Sequence, residues 1–172
     1  MERGISQLHP ETVEDNVFKL IGKDWMLITA GTSESFNTMT ASWGGMGVLW
    51  DKKVSFAFVR PTRFTFEFLE KSETYTLSFL DEQYRDTLIY CGTKSGRDVN
   101  KVAEASLTPV FGNGSVFFAE ARLVMECKKI YIHDIAPENF LDTHIDEYYP
   151  KKDYHRMYIG QIIRCLKRKR ID

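Results

Sequence analysis

"AEARLVMEC", Ala119 to Cys127, sets Ala119, Ala121, Leu123, Met125 and Cys127 against Glu120, Arg122, Val124 and Glu126 at alternate positions. A period of two puts each set on its own face of a strand. The run therefore predicts an antiparallel strand with one face buried. The same pattern recurs on both sides of it. In "KVSFAFVR", Val54, Phe56 and Phe58 share one face, and Ser55, Ala57 and Val59 the other. In "TYTLSF", Tyr75, Leu77 and Phe79 alternate with Thr74, Thr76 and Ser78. "DWMLITAG" and "HRMYIGQIIRCL" add a first and a last strand. Asn113-Gly114 in "FGNGS" is a hairpin turn between apolar runs. The reading yields six or seven strands. Helices are fewer. "PTRFTFEFLEKSE" starts near Thr62 or Thr65, either able to cap it. "DEQYRDTLIYCG" is closed by Gly92, and "SGRDVNKVAEAS" opens on Ser95 or Asp98. "APENFLDTHIDEYYP" holds one or two short helical turns. Antiparallel strands with short helices between them make a mainly β protein, a small barrel.

The chain has 172 residues, 43% of them hydrophobic and 13% aromatic, with net charge −1. That length favours one domain over residues 1–172, with a substantial core. Near-neutral charge gives no reason to expect a nucleic acid or an anionic membrane as partner. The N-terminus lacks an apolar signal region, and no apolar run is long enough to span a bilayer. Cys91, Cys127 and Cys165 are scattered, without a CxxC. Together these features predict reduced structural thiols in a cytoplasmic protein, and no metal site.

Three segments carry chemistry. "NTMTASWGGMGVLW", Asn37 to Trp50, combines hydroxyls, adjacent glycines and indoles. A core strand does not ordinarily spend hydroxyls this way. Asn37, Thr38, Thr40 and Ser42 can hydrogen-bond a ligand, Gly44-Gly45 lets backbone approach it, and Trp43 can pack on a planar ring. A strand end and tight turn with Trp43 in the core would fit equally. In "VRPTRFT", Val59 to Thr65, a strand ends, Pro61 turns the chain, and a helix begins between Arg60 and Arg63. Free N–H groups and two guanidiniums suit an anion, although two solvated arginines would give the same pattern. "CGTKSGRDVNK", Cys91 to Lys101, has the composition of a phosphate cradle. It lacks GxxxxGK followed by Ser or Thr, so it does not support nucleotide triphosphate hydrolysis.

Taken in order, "NTMTASWGG", "VRPTRFT", "SGRDVNK", "LTP" at Leu107 to Pro109 and "HRMYIGQI" resemble the flavin reductase-like, FMN-binding split-barrel family, and most nearly its flavoredoxin-type members. The resemblance spans about Trp25 to Ile163. It implies a Greek-key antiparallel split barrel, a homodimer, and FMN at the subunit interface. Asn37, Thr38, Thr40 and Ser42 match contacts to the flavin ring and ribityl chain, and Trp43 an indole near it. Val59, Arg60, Arg63 and Thr65 match the second flavin-binding segment. Ser95, Arg97 and Lys101 match the third, with Lys101 reaching the phosphate. His155 matches a histidine beside the flavin. It is the candidate catalytic group, with a charge expected to change near neutral pH.

The chain departs from the family at Gly160-Gln161-Ile162, where Glu is usual at the middle position, and it ends at "KRKRID" without an aromatic tail. The basic run is read as a solvated tail. The aromatic surplus at Trp43, Trp50, Phe56, Phe58, Phe117 and Phe118 independently favours a homodimer. Two functions fit: an oxidoreductase taking hydride from NAD(P)H, or an electron carrier serving a redox protein partner. In both, the flavin carries the redox chemistry.

Overall fold

The computed structural model describes residues 5–112 and 114–168. Ten strands occur among them: β1 (Ile5–Leu8), β2 (Met26–Gly31), β3 (Phe36–Ala41), β4 (Gly44–Leu49), β5 (Lys52–Val59), β6 (Thr74–Leu80), β7 (Pro109–Gly112), β8 (Ser115–Phe118), β9 (Ala121–Asp134) and β10 (Arg156–Arg168). Four short helices join them: α1 (Val17–Lys19), α2 (Phe64–Lys71), α3 (Arg85–Thr93) and α4 (Lys101–Glu104). The main sheet runs β3-β2-β6-β9-β10-β5-β4, with β1 beside the far end of β10; β7 and β8 form a separate hairpin. Every pairing is antiparallel.

The ladder ends at β3 and β4, which are consecutive in sequence but unpaired. Ser42 and Trp43 alone join them. The barrel is split at this link, so Asn37 to Trp50 forms both lips of the opening.

The expectation that a core strand avoids hydroxyls is corrected here. Asn37 to Ala41 lies in β3, and the buried Thr38 hydroxyl meets that of Thr29 at 2.9 Å. Each hydroxyl satisfies the other, which removes the cost of burying it. The alternating faces also need revision. In β5 the inward residues are Ser55, Ala57 and Val59, while Phe56 and Phe58 stay partly exposed outside. In β9 Val124 and Glu126 are buried along with Leu123, Met125 and Cys127, so both faces of that strand are covered; Ala119 and Glu120 form the preceding turn. β2 is likewise two-sided. Met26, Ile28 and Ala30 join the barrel core, while Leu27 packs with Leu88, Cys91, Leu107 and Phe118 beneath α3.

The extra strands have identifiable causes. The hairpin of β4 and β5 turns on Trp50 and Asp51, both left-handed with φ 51° and 56°. A two-residue hairpin needs that backbone, but without Asn-Gly it left no trace in the sequence. β7 and β8 do pair around the expected turn, with Gly112 opposite Ser115; Asn113 itself lies outside the described residues. The "KRKR" run also extends beyond them.

Helix boundaries shifted as well. Arg63, not Thr62 or Thr65, occupies the position before α2, without a side-chain cap; α3 carries Gly92 inside it and ends on Thr93, and α4 is capped by Asn100, whose side chain accepts from the Ala103 N–H. Ser95 to Asn100 form turns. α2 is fastened across the barrel end: Arg156 pairs with Glu70 at 2.8 Å, and Tyr158 donates to the same carboxylate at 2.7 Å. Leu69 is fully buried beneath it.

Among the described residues no helix is long and apolar enough to cross a membrane.

Candidate functional site

The three expected segments meet along the split. At one end β3 supplies Asn37. Its side-chain amide donates to Thr65 Oγ1 at 2.7 Å, in the first turn of α2. Gly96, in the loop before α4, closes over it. A Cβ at Gly96 would collide with Asn37 Oδ1 and sit 3.1 Å from Phe64 Cδ1. This loop therefore needs glycine for close approach to the Asn37 amide.

Lys101 lies beneath the same loop. It is only 5% exposed, and its ammonium donates to the carbonyls of Thr38 and Cys91, both at 2.9 Å. An ammonium has three donors, so one N–H is left over. Burial, together with the Arg63 guanidinium, lowers the Lys101 pKa to about 8, opposed by Cys91. Arg63 donates to the Gly92 carbonyl at 2.8 Å. Among the described residues no carboxylate pairs with either cation. α2 starts at Arg63 with no side chain capping its N-terminus. Two cations without counter-ions and free helix N–H groups thus converge, and this donor set fits a phosphate.

At the other end of the split, Trp43 stands 45% exposed. Its ring lies 5.3 Å from that of His155 and 5.5 Å, edge on, from that of Tyr148. His155 Nδ1 is 2.7 Å from the Tyr149 hydroxyl. Arg60 holds this corner together: it pairs with Asp153 at 2.9 Å, donates to the Tyr148 carbonyl at 2.8 Å, and lies 4.9 Å from the centre of the Tyr149 ring. Burial, reinforced by Arg60 and Arg63 and opposed by Asp153, lowers the His155 pKa to about 4. The expected titration near neutral pH is therefore corrected. His155 is a neutral imidazole there, able to donate or accept one hydrogen bond but not to supply charge.

The remaining expected residues divide. Thr40 donates to the Leu88 carbonyl at 2.5 Å and holds α3 against β3. Ser42 is half-buried in the link at the split. Val59 turns its side chain into the core. Ser95 Oγ accepts from the Arg97 N–H at 3.2 Å, and Arg97 pairs with Glu67 at 2.5 Å. Arg97 is thus engaged on the outer side of the loop. Gln161 lies six residues beyond His155 on β10, roughly 20 Å at the strand rise, between Val54 and Lys128. Its missing carboxylate does not adjoin His155. Tyr148, Tyr149 and Asp153 were not anticipated, because nothing periodic ties them to Arg60. The three thiols are buried, which pushes Cys91 and Cys165 to about 11 and Cys127 to about 12. They are structural.

The flavin reductase-like domain family matches residues 19–170. The chain belongs to this family. No curated protein matches it in sequence. Solved structures show the shared split-barrel fold of this flavin reductase-like chain. An FMN-binding domain of a flavin reductases-like enzyme from Shewanella baltica superposes with TM-score 0.70 at 17% identity, covering 98% of this chain and 79% of that one. Flavoredoxin from Methanosarcina acetivorans gives 0.65 at 18%, over 92% and 75%. An NADH:FAD oxidoreductase from Streptomyces globisporus gives 0.64 at 16%, over 84% and 74%.

Proposed function

We propose that this flavin reductase-like chain acts as one domain that binds FMN along the split, with the phosphate at Lys101, Arg63 and the start of α2, and the ring toward Trp43 and His155. The observation that carries this is the pair of cations, Lys101 buried and Arg63 beside it, with no carboxylate partner among the described residues. A buried ammonium is costly without an anion, and a phosphate offsets that cost. FMN-binding and NADH-using relatives of the same fold agree with it.

When bound, the flavin supplies the two-electron redox chemistry. The protein's part is to bind, orient and exclude water. Asn37, held by Thr65, is fixed at the split with its amide oxygen against the Gly96 loop. Trp43 offers a flat apolar face beside the opening. His155, neutral and fixed by Tyr149, can hydrogen-bond without adding charge. The reading is an oxidoreductase that accepts hydride from NADH or NADPH. Mixing the FMN-loaded protein with either nucleotide in a stopped-flow instrument should bleach the flavin. Reduction by dithionite, but by neither nucleotide at millimolar concentration, would instead mark an electron carrier. Replacing His155 by Asn should slow bleaching about tenfold and leave FMN affinity within twofold. Because His155 titrates near 4, the wild-type rate should show no His155 step between pH 6 and 8; a step there that disappears in the variant would refute the assignment.

We also infer a homodimer. Phe117 and Phe118 are buried within the chain, but Trp43, Val48, Trp50 and Tyr148 expose large apolar faces at the split and the β4–β5 hairpin. Pairing across a twofold axis would cover them. Light scattering at micromolar concentration should give twice the 20.0 kDa chain mass.

A further inference from the structure

The segment between β9 and β10 brings Tyr149 against His155 at the Trp43 end of the split, and both residues are buried. The Tyr149 ring is packed by Phe140, stacked at 6.2 Å, by Tyr154 at 4.9 Å and by the Arg60 guanidinium. The His155 backbone is pinned as well, its carbonyl accepting from the Ile135 N–H at 3.0 Å. A phenol carries one proton and a neutral imidazole one N–H. Among the described residues the Tyr149 hydroxyl has a single partner, His155 Nδ1 at 2.7 Å. Were the imidazole proton on Nδ1, that N–H would donate to the phenol oxygen, and the buried phenol proton would have no acceptor. With the proton on Nε2, Nδ1 accepts, the phenol donates to it, and both groups are satisfied. Nε2 itself has no partner among the described residues. It is not sealed from solvent either, because Ser78 Oγ alone among them is a sealed side-chain polar atom without one. His155 thus turns an N–H out of the fold beside the Trp43 ring, 5.3 Å away.

We propose that Tyr149 is a positioning residue: its hydroxyl donates to His155 Nδ1, fixes the imidazole proton on Nε2, and so makes His155 a one-way donor that selects a ligand carbonyl oxygen at the mouth of the split. A ligand atom that itself donates finds no acceptor there. Because the imidazole is neutral at pH 7, the donor adds no charge to the site. The tautomer stands on the proton count alone; the choice of a redox ligand rests on the flavin reading and deepens it. Ring-bound carbonyls of this kind occur both on the pyrimidine ring of a flavin and in the carboxamide of a nicotinamide, and the experiment separates the two sources.

The full chain is labelled with nitrogen-15 histidine, and long-range proton–nitrogen correlation spectra distinguish the two tautomers; the His155 signals are those that vanish in His155→Asn. The ligand-free wild type should hold the proton on Nε2. A proton on Nδ1, or comparable amounts of both tautomers, would overturn the proposal. Tyr149→Phe removes the phenol proton, so the tautomers should mix, and flavin bleaching by NADH should slow about two- to tenfold, the worth of one neutral hydrogen bond. An unmixed Nε2 tautomer in that variant, or a mixed one with an unchanged rate, would also overturn it. Thermal melting reports whether the variant is folded, and the wild-type spectrum decides the tautomer without it. The Nε2–H signal is then followed as FMN is added, and again as NAD+, which cannot bleach the flavin, is added to the FMN-loaded protein. A shift with FMN assigns the carbonyl to the flavin, and a shift with NAD+ alone assigns it to the nicotinamide. A signal that moves with neither means that His155 donates to no redox ligand, and the proposal fails. Failure to bind FMN at all would remove the flavin reading and the ligand assignment with it, while the tautomer, measured without ligand, would still stand or fall by its own spectrum.

Discussion

Replacing Lys101 by Met should weaken FMN binding about ten- to a hundredfold, while riboflavin, which lacks the phosphate, loses less than about threefold. Methionine nearly preserves the volume, so lost packing contributes little. What disappears is a charged donor whose alternatives are two backbone carbonyls. Losing one charge-assisted hydrogen bond costs about 1.5–3 kcal/mol, which sets the range. The pH dependence should follow Lys101. Its pKa is about 8 in the folded chain against an ordinary 10.5, so the unfolded chain holds more protons between these values. Without ligand, the cost of the buried charge is fully present below about 8 and relieved as pH rises toward 10.5. The bound phosphate reverses this preference, because it favours the ammonium. FMN affinity should therefore be greatest below pH 8 and fall through it, and the rise in Tm on adding FMN should be larger at pH 7 than at pH 9.5. Equal losses of FMN and riboflavin in the variant would place the phosphate elsewhere.

Replacing Gly160 by Ala should lower stability by about 2–3 kcal/mol, or roughly 5–10 °C in Tm for a chain of this size. Gly160 lies on β10 facing the barrel interior. A Cβ there would collide with the Tyr75 hydroxyl and stand 2.8 Å from Cys127 Cβ. Neither neighbour has room to move. The Tyr75 hydroxyl is 2.8 Å from Ser55 Oγ, which donates to Cys127 Sγ at 3.2 Å, and all three side chains are buried. Tyr75→Phe removes the obstructing oxygen, so the double variant should recover part of the loss, leaving the 2.8 Å contacts with Cζ of that ring and with Cys127 Cβ. Additive losses, measured by thermal and urea melts, would show that the barrel relaxes around the methyl group.

The sequence by itself determined the β character of the chain. Period-two alternation survives in any strand that faces a core, and "TYTLSF", "AEARLVMEC" and "HRMYIGQIIRCL" all lie largely in strands. Arg60 and Arg63 beside a helix start suited an anion, but two solvated arginines fitted the same pattern, and the link of Lys101 to a phosphate came only from the family resemblance. Tertiary structure decided which face was inward. Alternation is symmetric, and only closure of the barrel chose Ser55 and Ala57 over Phe56 and Phe58. It also decided protonation. Nothing local could set His155 near 4 or Lys101 near 8, because burial and the approach of Arg60 and Arg63 come from elements distant in the chain. The same holds for the caps. Thr65 was free to cap a helix in the sequence, but the approach of Asn37 across 28 residues gave its hydroxyl another partner and left the start of α2 open.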